Sequence, residues 1–367
     1  MAPKPVGIGV IGLGNISGAY LKAAAQFPIL DFVALADMSS AAAEARSKEY
    51  GIPAVGIDAL MADPRVEIVL NLTIPKAHVE VGLRAIAAGK SVYSEKPLGV
   101  SFAEGKRLAD AAAEAGVLLG CAPDTFFGGS HQLARQALDE DRIGTVIGGT
   151  AFMMVPGHER WHPNPAFYYA KGGGPMLDMG PYYITDLVNL LGPVTRVTGM
   201  TSRARDTRII TAKERAGEVI PVEVETHLAG LLQFASGAIV QITMSFDVTA
   251  HRHTHIELYG TKGSMVVPDP NRFDGDVEVS SGGDWDVVGP RLAYSDDNYR
   301  SIGLADMALA LRNKRPHRAS GALALHVLEV MEAVGEAASR GTSINIGTTV
   351  ERPAPLAGSL SGGKLSQ

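Results

Sequence analysis

The stretch Gly12-Leu13-Gly14-Asn15-Ile16-Ser17-Gly18 stands between an apolar run, Val6 to Leu13, and a helical pattern, Ala19 to Gln26. A buried strand, a glycine-rich turn and a helix in this order are typical of a dinucleotide-binding unit. Gly12 permits the tight turn, and Gly14 lets the backbone approach a pyrophosphate at the helix N-terminus. The third glycine of the usual fingerprint is replaced by Ser17, which is also small. The predicted cofactor contacts in this turn are Gly12, Gly14, Asn15 and Ile16.

The second predicted strand, Phe32 to Ala36, ends in an acidic residue, Asp37, which lies 23 positions after Gly14. A carboxylate there accepts hydrogen bonds from an adenosine ribose and repels a 2′-phosphate, so the pattern favours NAD over NADP. The following Met38-Ser39-Ser40 brings no arginine for such a phosphate, although the two serines and Arg46 could bind one. The alternative role of Asp37 is to cap the next helix.

Strand and helix patterns alternate through residues 1–124, the first predicted domain. The further strands are Val66 to Leu72, Val92-Tyr93 and Val117 to Cys121, and the helices are Ala41 to Tyr50, Asp58 to Ala62, His78 to Ala88 and Phe102 to Ala115. This alternation predicts an α/β Rossmann domain with a doubly wound parallel sheet. In the loop after the third strand, Thr73, Pro75 and His78 are predicted cofactor contacts; His78 could instead cap its helix.

The fourth strand leads into Ser94-Glu95-Lys96-Pro97. Open α/β sheets bind their ligands at the carboxyl ends of the strands. Proline fixes its own φ and favours an extended backbone at Lys96, which holds the lysine in register. Because a nucleotide fingerprint precedes this tetrapeptide, we predict that Glu95 and Lys96 lie beside the cofactor rather than in a surface turn.

The pattern changes after a crossover loop, Asp124 to Gly129, and a helix, His131 to Asp139. The predicted strands are Thr150 to Val155, Val194 to Arg203, Val222 to Phe234, Ala238 to Phe246, His255 to Tyr259 and Ser264 to Val267, and the helices Tyr299 to Arg312 and Ala322 to Ser339 follow. Residues 125–350 therefore predict an α+β domain, an open-faced and mainly antiparallel sheet with helices on one face. Residues 351–367, rich in Pro, Gly and Ser, predict a mobile tail or an arm on a neighbouring subunit.

A second motif begins the helix that is predicted to end at Leu191. Its sequence is Gly172-Gly173-Gly174-Pro175-Met176-Leu177-Asp178-Met179-Gly180-Pro181-Tyr182-Tyr183. Asp178 and Tyr182 are four residues apart, so their side chains share one helix face. The alternative is a capping aspartate and a tyrosine of the hydrophobic core.

Together, Glu95-Lys96-Pro97 and the glycine-led Asp178-x-Gly180-x-Tyr182 resemble the Gfo/Idh/MocA family of glucose–fructose oxidoreductases and inositol dehydrogenases. The resemblance covers about residues 5 to 345. It implies a Rossmann domain, an open-faced antiparallel sheet, NAD or NADP, and oligomers built partly through that sheet. It also implies that Lys96 is the catalytic lysine and Asp178 the active-site aspartate. Many relatives carry histidine where this chain has Tyr182, so the chain resembles the family's tyrosine-bearing branch.

The same three residues fit the chemistry without the resemblance. Oxidation of a secondary alcohol needs a hydride acceptor, a base for the hydroxyl proton and a cation near the developing alkoxide. A nearby ammonium favours a phenolate. We therefore predict catalytic roles for Lys96, Asp178 and Tyr182, with Tyr182 as the general acid/base and Lys96 as the cation beside it.

Other polar and aromatic residues are candidates for contacting a sugar. Trp161, Phe167 and Tyr168 could stack on the apolar face of a ring, and His162 and Asp124 could bind hydroxyl groups; the alternative for each is a purely structural role. If His251, His253 and His255 lie on one strand, they share a face with a spacing that could bind zinc. Because no carboxylate or cysteine motif accompanies them, we expect no metal site.

Composition limits the class of partner. The chain has 367 residues and a net charge of −6, which argues against a nucleic-acid partner. No apolar run is long enough to span a membrane, and Met1 to Pro5 leads straight into a strand, so we expect no membrane association and no signal peptide. One cysteine, Cys121, excludes an internal disulfide and favours the cytoplasm; we predict that it is structural. The alternating apolar residues of Ala238 to Phe246 predict a homodimer or homotetramer.

Three functions fit this sequence. The first is an NAD(P)-dependent dehydrogenase or reductase of a sugar, polyol or glycoside. The second is an NAD-dependent enzyme of the same family that cleaves glycosides through transient oxidation of a ring carbon and elimination. The third is a non-enzymatic NAD-binding regulator, against which the Lys96, Asp178 and Tyr182 set argues.

Overall fold

The computed structural model describes residues 3–356, which form two sheets and the helices around them. The strands of the first sheet are β1 Val6–Ile11, β2 Leu30–Ala36, β3 Ile68–Asn71, β4 Ser91–Ser94 and β5 Leu119–Cys121. Its helices are α1 Asn15–Ala24, α2 Ser40–Tyr50, α3 Ile57–Ala62, α4 His78–Ala87 and α5 Phe102–Ala115. The strand order is β2-β1-β3-β4-β5 and every pair is parallel, so the predicted doubly wound Rossmann sheet is confirmed.

The second sheet has nine strands in the order β15-β14-β13-β12-β6-β11-β10-β7-β16. Its strands are β6 Val146–Met154, β7 Val194–Ser202, β10 His227–Phe234, β11 Ile239–Ser245, β12 Ile256–Gly260, β13 Ser264–Val267, β14 Glu278–Ser280, β15 Asp286–Val287 and β16 Ile344–Asn345, and β8 Thr207–Ile209 pairs separately with β9 Val219–Pro221. The helices are α6 Gly129–Asp139, α7 Pro175–Leu191, α8 Ile302–Asn313 and α9 Gly321–Arg340. Only β6 and β11 pair in parallel, so the predicted, mainly antiparallel sheet is confirmed.

One face of the second sheet carries α7 and α9, and the other face is open. Along β10, Leu228 and Leu232 are buried beneath the helices, whereas Leu231 is 47% exposed. Met200 on β7 and Ile239 on β11 are also exposed on this outer side. The alternation of a half-buried strand therefore separates a core face from an apolar outer face.

Several element boundaries differ from the predictions. Helix α1 begins at Asn15, not Ala19, because Gly14 is its N-terminal cap in an extended conformation. The predicted strand from Val222 to Phe234 begins only at His227, after an irregular stretch. The short strands β8, β9, β14, β15 and β16 were not predicted, because two- and three-residue strands carry no alternation to detect.

The first residues of the predicted tail pack on their own chain. Arg135 donates to Pro353 O at 3.1 Å, and Arg318 donates to Ala354 O at 2.7 Å. Leu356 is buried and its amide donates to Gln132 Oε1. Residues 351–356 are therefore held on their own chain and are not a mobile tail, whereas residues 357–367 lie outside the described part of the chain. The alternative of an arm on a neighbouring subunit stays a prediction.

The segment before α8 returns to the Rossmann domain. Ser301, the N-terminal cap of α8, has a positive φ of 116°, and its hydroxyl donates to Tyr20 O on α1 at 3.0 Å. Further along, Cys121 N on β5 donates to Ala319 O. The two sheets are therefore joined by α7 and by this returning segment, and the loops between them enclose a cavity.

Candidate active site

A cavity of about 510 Å³ lies between the carboxyl edge of the parallel sheet and the second sheet. Its walls come from α1, the loop after β4, strand β6, the loop between residues 155 and 169, α7 and the segment before α8. The lining residues are Ile16, Glu95, Lys96, Phe152, Met153, Met154, Val155, His158, Trp161, Tyr168, Asp178, Met179, Tyr182, Tyr183, His251, His255, Asp269, Asn271 and Arg300. The two motifs that were singled out from the sequence therefore meet in one cavity.

Lys96 reaches from the end of β4 to the first turn of α7. Its ammonium donates to Asp178 O at 2.6 Å and to Asp178 Oδ1 at 3.0 Å. The same nitrogen lies 5.1 Å from the centroid of the Tyr182 ring. Burial alone would lower the pKa of Lys96, but the charges of Asp178, Tyr182 and Glu95 raise it above its ordinary value. Lys96 is thus held as an ammonium in the cavity wall.

Asp178 connects Lys96 to a histidine that sequence reasoning did not select. Its second oxygen, Oδ2, accepts from His158 Nε2 at 3.0 Å. Burial would raise the pKa of Asp178, but Lys96 and His158 lower it to about 2. Trp161 Nε1 donates to His158 Nδ1 at 3.3 Å, so the Nε2 nitrogen is the one that carries the proton toward Asp178.

Tyr182 lies one turn after Asp178 on α7 and is 8% exposed. Lys96 approaches its ring from the Rossmann side, and Arg300 interacts with it from the segment before α8. Burial would lower the pKa of Arg300, but the interaction with Tyr182 raises it. A tyrosine beside two cations at a cavity wall is suited to proton transfer.

The glycine turn has the shape that a dinucleotide requires. A Cβ on Gly12, whose φ is +96°, would lie 2.6 Å from the backbone of Leu72 and Thr73, so only glycine fits there. A Cβ on Gly14 would meet nothing within 4 Å, so the space above the start of α1 is clear. Open backbone at a helix N-terminus is a site for phosphate, and the residues present fit a dinucleotide cofactor.

Asp37 lies beside this turn at the end of β2. Its carboxylate accepts from Leu13 N at 2.7 Å and from Ser39 N at 2.8 Å. The helix cap of α2 is Ser39 and not Asp37, because the Ser39 hydroxyl accepts from Ala42 N. The capping alternative for Asp37 is therefore wrong, and its role in ribose binding stays a prediction.

His78 neither lines the cavity nor caps α4. It is 1% exposed, and its ring nitrogens lie 2.7 Å from Pro97 O and 2.9 Å from Thr73 O. Burial lowers its pKa. Since both nitrogens face backbone carbonyls, His78 fastens the loop after β3 to the loop that carries Lys96. Its predicted contact with the cofactor stays a prediction. Thr73 and Pro75 remain predicted contacts at the edge of the sheet.

Two predicted hydroxyl-binding residues have other partners. Asp124 is 1% exposed, and its Oδ2 accepts from Ser301 N and Gly303 N at the start of α8, away from the cavity lining. Burial raises the pKa of Asp124 to about 6. His162 Nδ1 accepts from Asn164 N, and its ring stacks edge-on against Tyr168 outside the cavity. Burial and these bonds argue against the predicted substrate contact of Asp124, whereas the substrate contact of His162 stays a prediction.

The predicted aromatic residues lie at the mouth of the cavity. Trp161 is 62% exposed and Phe167 is 51% exposed, whereas Tyr168 is partly buried and lines the wall with Trp161. Burial, with a contribution from Asp178, raises the pKa of Tyr168. An exposed aromatic shelf beside a polar cavity can hold the apolar face of a ligand.

A buried ion-pair cluster fixes the loop that carries this shelf. Arg208 donates to Glu159 Oε1 at 2.9 Å and also pairs with Asp247. Tyr169 donates to Glu159, and its hydroxyl accepts from His158 N at 3.1 Å. Because Glu159 follows His158 directly, the cluster sets the position of His158 and, through it, of Asp178.

The three histidines do not form the predicted strand face. Residues 251–255 form a loop, and β12 begins at Ile256. Among residues 3–356, no group of three or more His, Cys, Asp or Glu side chains has a geometry that could hold a metal ion. His255 Nδ1 instead lies 2.8 Å from the Tyr183 hydroxyl, and His251 lines the cavity.

Sequence reasoning missed His158, Asn271 and Arg300, which lie far from either motif. In the sequence, His158 follows Pro156-Gly157 and stands four residues before His162, and this spacing is the only feature that could have marked it as a site residue. Arg300 precedes the predicted helix without a motif of its own. The fold alone brings these residues to Asp178 and Tyr182.

Comparison with known proteins agrees with the fold and the site. Residues 6–122 match the model of an oxidoreductase family with an NAD-binding Rossmann fold, and residues 131–266 match a GFO/IDH/MocA C-terminal domain. A 1,5-anhydro-D-fructose reductase of Ensifer adhaerens is 29% identical over 70% of this chain and 74% of the relative. A D-xylose 1-dehydrogenase (NADP(+)) of Haloferax volcanii is 24% identical over 92% of this chain and 99% of the relative.

Solved structures show the same fold. A levoglucosan dehydrogenase in complex with NADH and L-sorbose superimposes with a TM-score of 0.80 at 20% identity, over 94% of this chain and 100% of the other. An aldose-aldose oxidoreductase from Caulobacter crescentus, complexed with glycerol, superimposes with a TM-score of 0.79 at 24% identity, over 93% and 100% of the two chains.

The chain has a Rossmann sheet whose glycine turn leaves space for a phosphate. A cavity with a lysine and a tyrosine lies between this domain and the second one. These features define an NAD-binding oxidoreductase. The chain belongs to the Gfo/Idh/MocA family of these enzymes, so the resemblance inferred from its two motifs is confirmed. Within residues 3–356, none of the helices combines the length and the apolar character that crossing a bilayer would require.

Proposed function

We propose that the chain transfers a hydride reversibly between a nicotinamide cofactor and a secondary alcohol or ketone carbon of a sugar, polyol or glycoside. The main support is the meeting of two motifs from separate domains, with Lys96 Nζ 3.0 Å from Asp178 Oδ1 and 5.1 Å from the Tyr182 ring. The names of the relatives add to this, since they include sugar reductases and an inositol 2-dehydrogenase of Rhizobium meliloti.

In this proposal Tyr182 is the general acid/base. In the oxidative direction its phenolate takes the proton of the substrate hydroxyl while the hydrogen on the same carbon leaves with its electron pair. In the reductive direction the phenol returns that proton to the carbonyl oxygen. Lys96 stabilises the negative charge that develops on the substrate oxygen, and Asp178 holds Lys96 in place.

The bound nicotinamide cofactor would supply the acceptor or donor of the hydride. Gly12, Gly14, Asn15 and Ile16 would hold its pyrophosphate side, and Thr73, Pro75, Glu95 and Lys96 would border its nicotinamide side. Asp37 would bind the adenosine ribose and favour NAD over NADP, and Arg46 is already paired with Glu49 at 2.5 Å. Comparison of kcat/KM for the two cofactors with one substrate tests this, and an NADP preference contradicts it.

The aromatic shelf of Trp161, Phe167 and Tyr168 would stack on the apolar face of the substrate ring. A shelf that extends beyond the cavity also suits a glycoside, the substrate of the second hypothesis. A panel of sugars, polyols and glycosides, assayed for cofactor reduction and for release of the aglycone, separates the alternatives. Net NADH formation identifies a dehydrogenase, aglycone release without net NADH identifies a glycoside-cleaving enzyme, and NAD binding without either reaction identifies a regulator.

Replacement of Tyr182 tests the proposed chemistry. Tyr182→Phe removes the proton-transfer group but keeps the ring, so kcat should fall by about 10² to 10⁴ with little change in KM. Tyr259→Phe, on the second sheet away from the cavity, is the matched control. If kcat falls less than about threefold and the pH inflection does not move, Tyr182 is a packing residue and another group carries the proton.

The remaining proposals concern assembly and compartment. The outer face of the second sheet, with Met200, Leu231 and Ile239 exposed, would form the interface of a homodimer or homotetramer. Cys121 is a buried thiol whose pKa is raised by burial, which supports a structural role. Cys121→Ala should therefore keep most of the activity. The proposed cytoplasmic location is supported by the single cysteine of the sequence, which can form no internal disulfide.

A further inference from the structure

One side chain joins the aromatic shelf to the Lys96–Asp178 pair. His158 Nε2 donates to Asp178 Oδ2 at 3.0 Å, and His158 Nδ1 accepts from Trp161 Nε1 at 3.3 Å. The other oxygen of Asp178, Oδ1, accepts from Lys96 Nζ at 3.0 Å. A continuous chain of hydrogen bonds therefore runs from Trp161 at the mouth of the cavity to Lys96 in its wall.

The two bonds of His158 require opposite chemistry at its two nitrogens. The indole N–H of Trp161 can only donate, so Nδ1 must carry a lone pair. The carboxylate of Asp178 can only accept, so Nε2 must carry the proton. The neutral imidazole with its proton on Nε2 satisfies both partners at once. Because each partner is bound through a different atom, the two contacts can be removed separately.

Packing and a backbone bond hold the His158 ring in place. The ring centroids of Tyr168 and Phe246 lie 4.3 and 4.5 Å from that of His158, and its side chain is 12% exposed. Its amide donates to the Tyr169 hydroxyl, which in turn donates to Glu159. A side chain that is locked by packing and by neighbouring hydrogen bonds can hold its partners in a precise geometry.

We propose that His158 is a positioning residue that holds Trp161 in register with Asp178. The inference rests on the proposed function and deepens it, since in that function Trp161 stacks on the substrate ring and Lys96 holds the reacting oxygen. The distance between these two contacts determines which carbon of a stacked ring reaches Lys96. His158 sets this distance, because it binds both the tryptophan and the aspartate that fixes the lysine.

Two conservative variants each break one of the bonds. The side-chain oxygen of asparagine is attached to Cγ, as Nδ1 of histidine is, so His158→Asn keeps the acceptor for Trp161 and loses the donor to Asp178. The amide nitrogen of glutamine lies one atom further along, as Nε2 of histidine does, so His158→Gln keeps the donor and loses the acceptor. His158→Phe keeps a ring for packing and removes both bonds.

Steady-state kinetics should separate the two bonds. The substrates are D-glucose, myo-inositol and methyl β-D-glucopyranoside, one from each proposed class. In His158→Asn the Lys96–Asp178 pair can shift, so kcat should fall by roughly ten- to a hundredfold with KM within about twofold. In His158→Gln the indole is released, so KM should rise by roughly three- to tenfold with kcat within about twofold. His158→Phe should show both defects. His227→Asn and His227→Gln are the matched controls, at a histidine on β10 that bonds to Ser245.

The fluorescence of Trp161 reports the link without any substrate. The chain has two tryptophans, and Trp285→Phe removes the other one, which is exposed in the loop before β15. In this background the anisotropy of the Trp161 emission should fall in His158→Gln and His158→Phe, because an unheld side chain at the surface moves within nanoseconds. The anisotropy should be kept in His158→Asn. Circular dichroism confirms that each variant is folded.

Equal kinetic losses in folded His158→Asn and His158→Gln overturn the inference, because only the size of the side chain would then matter. So does an anisotropy of Trp161 that is unchanged in both His158→Gln and His158→Phe. The two levels of proposal fail separately. If the anisotropy falls as expected but no sugar, polyol or glycoside is oxidised, the proposed function is contradicted and the link between His158 and Trp161 stands. An active enzyme whose kinetic constants are the same in all three variants contradicts only the role of His158.

Discussion

At the scale of single residues, the site depends on buried charges whose partners determine their behaviour. Burial disfavours the charged form of both Asp178 and Asp124, yet their pKa values move in opposite directions. Asp178 meets two basic side chains, Lys96 and His158, so its pKa falls to about 2. Burial raises the pKa of Asp124 to about 6, because the two backbone amides that it accepts from and the nearby charge of Arg300 offset only part of the cost of burial.

This difference predicts opposite pH dependences of stability. The folded state binds the proton of Asp124 more tightly than the unfolded state, so stability from this group is present below about pH 4 and is lost as the pH rises through about 6. The reverse holds for Asp178, whose contribution is present above about pH 4 and is lost as the pH falls toward 2.

Asp124→Asn should remove the loss of stability that ionisation of Asp124 causes as the pH rises, because the amide does not ionise. The amide oxygen can still accept from Ser301 N and Gly303 N. Relative to the unchanged protein, the variant should gain up to about 3 kcal/mol in the free energy of unfolding between about pH 4 and pH 6. Denaturant unfolding at several pH values measures this gain. Asp178→Asn is the comparison of opposite sign, and parallel stability curves for Asp124→Asn and the unchanged protein would contradict the assignment.

At the scale of elements, the turn between β1 and α1 is the part that the sequence predicts best. Its glycines can be recognised from the sequence because each meets a local requirement of the turn: Gly12 has a positive φ, and Gly14 leaves the backbone uncovered. The same locality explains the recognition of Asp178 and Tyr182, which share a helix face. His158 and Arg300 could not be predicted, because their relation to Tyr182 exists only after two domains and a strained backbone bring them together.

The two glycines should respond differently to the same substitution. Gly12→Ala would place a Cβ 2.6 Å from the backbone at Leu72 and Thr73, so it should destabilise the Rossmann domain by several kcal/mol and abolish cofactor binding. Gly14→Ala meets no protein atom within 4 Å and has a φ of −70°, so the fold should be kept while NADH binding weakens.

Thermal unfolding and NADH fluorescence titration separate these effects. Loss of NADH affinity in Gly14→Ala with an unchanged Tm supports a cofactor above the turn. Unchanged affinity in Gly14→Ala would show that nothing approaches this backbone, and the cofactor assignment of Gly14 would be wrong.

At the scale of the whole molecule, the open face of the second sheet exposes the apolar side chains of Met200, Leu231 and Ile239. The alternation of apolar and polar residues predicts a half-buried sheet. It does not predict whether the outer face is apolar, because polar and apolar residues are mixed along β7 and β10. The alternating apolar residues of Ala238 to Phe246, from which the oligomer was predicted, are buried within the chain, since Val240, Ile242 and Met244 are 0% exposed. The sequence pattern therefore does not tell whether the outer face is solvated or an interface.

A charge on this face should therefore break the proposed oligomer. Leu231→Asp, alone or with Met200→Asp, should shift the mass measured by light scattering to that of the 38.5 kDa monomer at micromolar concentration. Ile209→Asp is the control, since Ile209 is similarly exposed but lies on the separate two-stranded sheet. If the unchanged protein is itself a monomer, or if the Leu231 and Met200 variants keep its oligomeric mass, this face is not the interface.

Tyr20 ties three parts of the molecule together. It lies on α1, its hydroxyl donates to Glu95 Oε1 at 2.8 Å, and its carbonyl accepts from Ser301. The helix whose N-terminus faces the phosphate site therefore also holds the loop of Lys96 and the backbone of Arg300. Occupation of that site would steady all three before an alcohol arrives. We therefore expect an ordered addition, in which the nucleotide binds before the alcohol and leaves after the product.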